Sequence, residues 1–259
     1  MRNDIDNFLA SAESSGIVNR RRFIQFVMIL TAMPSEALAE NSKLGILSVN
    51  GKKIQIADIT KSSMPIRNEQ RIMEYPITDE ARRLLEKMRA DEYFLQAEDY
   101  KSSDGYQLIM RKTATDLYKL AQQYAAMEGY GLAVFSAWRP PEGQRSLYAG
   151  AGKGEKGVKV ASAEDSQHPR GGAMDVLLYK EEDGRIVYLT PDKKNPRRGK
   201  RQDIDRLHKY LQLAGFANYT EEPWHNEIGS EEWVEIMAKS GLRQAKNKLY
   251  QSIEKPVVK

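Results

Sequence analysis

Cysteine is absent from all 259 residues of this chain, and histidine occurs only three times. Without cysteine there is no disulfide framework and no thiolate metal site, although the absence does not fix the compartment. Aromatic residues are also scarce, at 8%, and 41% hydrophobic content supports one good core with a small appendage. A strong charge imbalance is lacking too: 40 basic residues stand against 36 acidic ones, a net +4. Such a surface tolerates an anionic polymer such as cell wall, but it is no nucleic-acid footprint. The densest basic stretch, Lys193 to Arg201, reads as a solvated loop. Long hydrophobic runs are missing as well. The apolar run from Phe23 to Met33 covers 11 residues, broken by Gln25 and Thr31, whereas a helix needs about 20 to span a bilayer. No permanent membrane anchor is expected.

That run does suit an export leader. Asn19-Arg20-Arg21-Arg22-Phe23-Ile24-Gln25 looks like a twin-arginine signal, and Ala37-Leu38-Ala39 offers small residues where a signal peptidase reads them. Residues 1–39 hold four basic and four acidic residues, so the +4 belongs to the remainder, with 36 basic against 32 acidic. The expectation is cleavage after Ala39 and a mature protein in the periplasmic or cell-wall space. Residues 40–75 then form an N-terminal hairpin or extension, and residues 76–259 form a catalytic domain.

Two of the three histidines stand beside carboxylates. His168 lies in Ser166 to Asp175 (SQHPRGGAMD), and His225 closes Glu222-Pro223-Trp224-His225. A catalytic zinc ion takes three nitrogen or oxygen ligands from the protein and leaves a fourth position for water, whose pKa it lowers towards neutrality. His168, Asp175 and His225 supply that ligand set, and Glu222 is placed to take the proton from the water. A lone histidine is more often a packed residue than a ligand, but both motifs together make that reading poor. The third, His208, falls in a helical pattern and is read as structural.

Ser-x-His-x-x-Gly-x-Ala-x-Asp followed by Glu-x-Trp-His resembles the signature of the zinc D-Ala-D-Ala metallopeptidases. That group holds vancomycin-resistance dipeptidases and carboxypeptidases, related L,D-carboxypeptidases and the Hedgehog signalling domain. The likeness runs from about Thr113 to Gly229 with every position of both motifs filled. It implies zinc on His168, Asp175 and His225, with Glu222 as general base. Hedgehog-type members keep the zinc ligands without all hydrolysing peptides, and the presence of Glu222 favours an enzyme. Val134 to Pro141 (VFSAWRPP), with Gln144 after it, is similar to the family's Ser-x-Tyr-Arg stretch, Trp138 replacing the usual Tyr. Arg139 is therefore expected to stabilise the charge that amide hydrolysis builds on the carbonyl oxygen, using paired donors. Ser136, Gln144 and Ser166 are expected to bind substrate, Gln144 or Ser166 through its terminal carboxylate.

Ile46 to Val49 and Lys53 to Ile56 flank Asn50-Gly51, a pair suited to a tight hairpin turn. Helices are predicted over Asp79 to Met88, Thr113 to Met127, Asp203 to Ala214 and Glu231 to Lys239 from apolar residues at helical spacing. Strands are predicted over Leu132 to Phe135 and Met174 to Tyr179. Gly171-Gly172 must bend the chain between His168 and Asp175, because seven residues of unbroken strand would turn those two side chains to opposite faces. Gly150 to Gly157 lacks the ending of a phosphate loop and reads as a flap or linker. The order of elements gives a small α+β domain whose antiparallel sheet carries flanking helices. The family likeness implies the same Hedgehog-like fold, with zinc in a cleft on the sheet.

The expected activity is a carboxypeptidase acting on the stem peptides of peptidoglycan. A D-Ala-D-Ala dipeptidase or L,D-peptidase is the alternative within the family, and a non-catalytic zinc-containing wall-binding module is the alternative outside it.

Overall fold

The computed structural model describes residues 71–259 apart from 103–104, 154, 157–159, 193, 196–197 and 243–244, with Tyr100 and the earlier strands 46–49, 52–55 and 66–68 as backbone only. The leader, its cleavage site and the Asn50-Gly51 turn lie outside the described residues, as does part of the Gly150 to Gly157 stretch. The chain divides into two compact units, residues 1–58 and 59–259. In the first, β1 (Ile46–Val49) and β2 (Lys52–Gln55) pair antiparallel with Val49 opposite Lys52, the hairpin register that a two-residue turn imposes.

The second unit is built on a seven-stranded antiparallel sheet. Its strands are β3 (Ile66–Asn68), β4 (Arg71–Met73), β7 (Gly131–Ser136), β8 (Ala173–Glu182), β9 (Arg185–Tyr188), β10 (Ala217–Tyr219) and β11 (His225–Glu227). They run in the order β3-β4-β10-β11-β8-β7, with β9 also paired to β8. A separate two-stranded sheet joins β5 (Phe94–Lys101) to β6 (Gln107–Arg111). The helices are α1 (Asp79–Lys87), α2 (Lys112–Met127), α3 (Pro141–Gly150), α4 (Arg201–Leu213) and α5 (Glu231–Lys239). The α+β class and the antiparallel sheet follow the sequence reading, and so does each predicted helix to within two residues at its ends.

Helix α2 buries Ala114, Leu117, Tyr118, Ala121, Tyr124 and Ala125 completely, the single stripe that its 3.6-residue period requires. It ends where Gly129 turns to φ +77° and the Tyr130 N–H closes on the Ala125 carbonyl at 3.0 Å. Helices α2 and α4 pack on β7 and β8, whose Leu132, Val134, Val176 and Leu178 are buried against them. Helix α5 packs on β3 and β4. One face of the sheet is thus closed by helices, and the chemistry lies on the other.

Several elements were not expected: helix α3 and strands β3 to β6 and β9 to β11. Helix α3 begins on Pro141, whose fixed φ and missing N–H suit the first helical position, so the Pro-Pro pair starts a helix as well as making a turn. Strands β3 and β4 pair into the same sheet as the two motifs, although they belong to the segment read as an extension.

Candidate active site

The register of the sheet assembles the site. On β11 and β8, His225 stands directly opposite Asp175, and on β8 and β7, Asp175 stands opposite Ser136. Directly opposed residues point to the same face, so Ser136, Asp175 and His225 form a row across three strands. Tyr219 on β10 extends it with its ring 6.1 Å from that of His225, and Arg71 on β4 pairs with Tyr219 in turn. All five line one cleft of about 940 Å³.

Ser136 joins this row through a β-bulge. Val134 pairs with Val176, but the register then shifts so that Ser136, rather than Phe135, meets Asp175. One extra residue on a strand re-aims the side chains beyond it. Leu132 and Val134 therefore face the helices while Ser136 faces the cleft.

His168 reaches the row from a turn. Gly171 adopts φ +74°, its N–H bonding the His168 carbonyl at 3.1 Å, and β8 starts at Ala173. The expected bend is present. Gly172 must also be a glycine: a Cβ there would lie 2.3 Å from the carbonyl oxygen of Ile228, where the chain entering β8 runs against the chain leaving β11.

Among the described residues, His168, Asp175 and His225 form a group of three whose ligand atoms all lie within 4.8 Å of one another. All three are nearly buried. The His168 Nδ1 sits 2.6 Å from the Ala137 carbonyl, which can only accept, so Nδ1 carries a proton and Nε2 is the nitrogen that faces Asp175 Oδ1 at 3.5 Å. The His225 Nδ1 lies 3.2 Å from the same Asp175 oxygen, and its Nε2 lies 3.0 Å from Glu227 Oε2. Two imidazoles and a carboxylate thus converge, each imidazole having its far nitrogen anchored. This suits a tetrahedral zinc ion, because a ligating histidine usually donates its second N–H to a carbonyl or carboxylate.

The electrostatics agree with that convergence. Burial alone would raise Asp175, but the His168 and His225 imidazoles outweigh it and hold the carboxyl far below the usual range. Burial pushes His168 down. It also pushes on His225, yet hydrogen bonds to Asp175 and Glu227 prevail and raise that imidazole to about 9. Burial opposes the Glu227 charge as well, but Arg71 and His225 hold its carboxyl well below the usual value.

Of the other expected residues, Glu222 lines the cleft, and its carbonyl accepts the His225 N–H at 2.8 Å, so the base candidate and the last ligand candidate share one turn. Arg139 also lines the cleft, with Nη1 donating to Gln144 Oε1 at 2.6 Å and Nη2 donating to Ser136 Oγ at 3.0 Å. Gln144 is 2% exposed, and its Nε2 donates to the Ala161 carbonyl at 2.8 Å. Its amide is engaged at both ends within the protein. Ser166 lies on the cleft wall, where its Oγ accepts the His168 N–H at 3.3 Å. His208 stands apart from the cluster, its Nε2 donating to the Pro223 carbonyl at 3.0 Å and so bracing the turn that carries Glu222.

The sequence reading passed over Arg71 and Glu227. Arg71 Nε and Nη2 meet Glu227 Oε1 and Oε2 at 3.0 and 3.1 Å. The available signal was the His225-x-Glu227 spacing, which on a strand puts both side chains on one face. Nothing near Arg71 in the chain announces its partner.

A cleft with paired imidazoles, a carboxylate between them, a second carboxylate on the wall and a fixed guanidinium is the equipment of a metallopeptidase. A family model for VanY, D-alanyl-D-alanine carboxypeptidase, matches residues 107–234. The D-alanyl-D-alanine dipeptidase of Enterococcus faecium is 27% identical over 164 residues, covering 51% of this chain and 80% of its own. That of Enterococcus faecalis is 27% identical over 158 residues, covering 49% and 78%. Among solved structures, the LdcB LD-carboxypeptidase overlaps with TM-score 0.41 at 19% identity, over 79% of this chain and 94% of that one. A vancomycin-resistance D,D-pentapeptidase VanY in complex with Zn(II) overlaps with TM-score 0.36 at 18% identity, over 67% and 92%. The chain belongs to the zinc D-Ala-D-Ala metallopeptidase family, and it is a carboxypeptidase-like metallopeptidase.

Proposed function

We propose that this protein is a zinc-dependent carboxypeptidase that removes the C-terminal D-Ala from peptidoglycan stem peptides. The observation that carries the reading is the convergence of His168, Asp175 and His225, with ligand atoms within 4.8 Å of one another, on the wall of an open cleft. His168 Nε2, Asp175 Oδ1 and His225 Nδ1 would hold the ion. When bound, zinc supplies a Lewis acid that polarises a carbonyl and acidifies water beside it. Glu222 takes the proton of the attacking water and delivers it to the leaving amine. Arg139, held in orientation by Gln144 and Ser136, stabilises the negative charge that grows on the carbonyl oxygen. Ser166 is kept as the residue for the substrate's terminal carboxylate.

Cleft size supports a stem peptide over a free dipeptide. At about 940 Å³, it is near the top of the roughly 300–1,000 Å³ span of small-molecule sites, whereas a dipeptidase needs a closed pocket around a small substrate. A peptidoglycan substrate also accords with the export leader and the cleavage after Ala39 read in the sequence, which would place the enzyme with the polymer. Among the described residues no helix is long and apolar enough to cross a membrane.

Incubating the zinc-loaded protein with pentapeptide and tetrapeptide muropeptides and with free D-Ala-D-Ala, then following products by mass spectrometry, separates the readings. Loss of one alanine from the pentapeptide is expected. Cleavage of the free dipeptide alone would make it a dipeptidase, alanine loss from the tetrapeptide alone an L,D-carboxypeptidase, and retention of fragments without products a binding module. Glu222→Ala should abolish turnover while zinc stays near one equivalent; loss of the metal in that variant would move Glu222 into the coordination shell.

A further inference from the structure

We infer that Glu227, clamped by Arg71, is a positioning carboxylate for the metal site, fixing the ring orientation and proton placement of His225. The inference rests on the reading of His168, Asp175 and His225 as metal ligands. It begins with strand geometry. On β11, residues 225 and 227 lie on one face, which sets the Glu227 carboxylate beside the far edge of the imidazole that turns its near edge to Asp175. Glu227 accepts from His225 Nε2 at 3.0 Å, so that nitrogen keeps its proton and Nδ1 is the one left to face the metal.

The carboxylate is itself immobilised. Arg71 grips both of its oxygens in a paired, side-on contact at 3.0 and 3.1 Å, the geometry for which a planar guanidinium is preorganised. The same guanidinium lies 4.5 Å over the Tyr219 ring, and that ring stands edge-on to His225. The imidazole is therefore held at its edge by Glu227 and at its side by Tyr219, and Arg71 secures both holders. His168 has a different support, the neutral Ala137 carbonyl. A carboxylate partner increases the donor strength of a ligating imidazole more than a carbonyl does, so the two histidines are not equivalent.

A buried carboxylate is costly to keep when it serves only packing. Glu227 is completely buried, and replacing a buried ion pair with apolar groups of similar volume is often neutral or stabilising. Its position beneath a ligand candidate gives the pair a function that an apolar pair could not fill. Arg71 would then contribute to the metal site from a strand 156 residues away in sequence from the carboxylate it holds.

The test uses the full chain and measures zinc affinity by competition with a chromophoric chelator, together with the visible absorption of the Co(II)-substituted protein. Glu227→Gln removes the charge but strands Arg71. The double variant Arg71→Met/Glu227→Gln removes both charges and is the arm that keeps a folded protein. His168→Ala serves as the reference for the site itself. A 10- to 100-fold loss of zinc affinity in the double variant is expected, with shifted Co(II) bands, as for removal of other such outer partners. Affinity within about twofold of the starting protein, or unchanged Co(II) bands, overturns the inference, because a pair that merely ties β4 to β11 would alter neither. If His168→Ala also leaves zinc affinity unchanged, the ligand assignment itself has failed.

Discussion

Gln144 was expected to touch substrate, and in the structure each end of its amide is hydrogen-bonded within the protein, so a double-mutant cycle distinguishes the two roles. Gln144→Leu keeps the bulk while deleting the acceptor for Arg139 Nη1 and the donor to the Ala161 carbonyl. Ala161 is only partly buried, so its carbonyl can turn to water and the chief loss falls on Arg139. A hydrogen bond to a charged group contributes about 1.5–3 kcal/mol, and each ~1.4 kcal/mol is tenfold in rate. If the bond serves to aim the guanidinium, kcat should fall roughly ten- to a hundredfold with little change in KM. Arg139→Ala should cost more, on the order of a hundred- to a thousandfold, as for other donors to a developing oxyanion.

The decisive quantity is the pair. A residue that works only through Arg139 has nothing left to do once Arg139 is gone, so Gln144→Leu/Arg139→Ala should be no slower than Arg139→Ala alone. Steady-state kinetics on a pentapeptide substrate at fixed zinc occupancy read all four corners of the cycle. Costs that add, with the Gln144 effect appearing in KM, would refute the holding role and return Gln144 to the substrate side.

Two further perturbations probe the scaffold. Gly172→Ala drives a Cβ to 2.3 Å from a backbone oxygen that cannot yield, whereas Gly150 has nothing within 4 Å of its added Cβ. The first should lower the unfolding midpoint by an amount corresponding to about 1–3 kcal/mol or more, and Gly150→Ala should be nearly silent; equal effects would contradict the close approach of Gly172 to Ile228. His208 is held at about 4 chiefly by burial, so the unfolded chain takes up its proton first as pH falls. Its contribution is complete above about pH 6.5 and is lost progressively down to about pH 4. In denaturant titrations the stability gap between the starting protein and His208→Gln should therefore narrow over that window, and a gap independent of pH would show that the neutral ring is not what the site requires.

How much of this was legible in the sequence depended on how rare the signal was. Helices α2 and α5 were readable because apolar residues recurring at helical spacing are a pattern that a helix satisfies and a strand or loop does not. The candidate group of His168, Asp175 and His225 was readable because histidine is scarce and both motif histidines adjoin carboxylates. Strands β4, β10 and β11 are three residues each, too short for alternation to register, and the sheet that carries the site depends on them. Helix α3 was hidden behind two prolines that also spell a turn. Arg71 and Glu227 are ordinary charged residues in the chain, and their meaning exists only after β10 has paired with β4 on one side and β11 on the other.

The site is therefore a property of register more than of loops. His225 and Glu227 face the cleft, so Asn226 between them must face the helices, where a polar side chain needs partners. It has them: Gln212 of α4 donates to Asn218, Asn218 donates to Asn226, and Asn226 donates to the Trp224 carbonyl at 2.6 Å. The same Gln212 accepts the Glu74 and Tyr75 N–H groups at 2.6 and 2.8 Å, which ties the end of β4 into the chain. A slip of one residue in β11 would turn His225 into this fully buried polar file and leave its amides unpaired, so two penalties fall on the same error. The polar file behind the sheet thus selects the pairing that sets Arg71, Tyr219, His225, Asp175 and Ser136 in one row on its front.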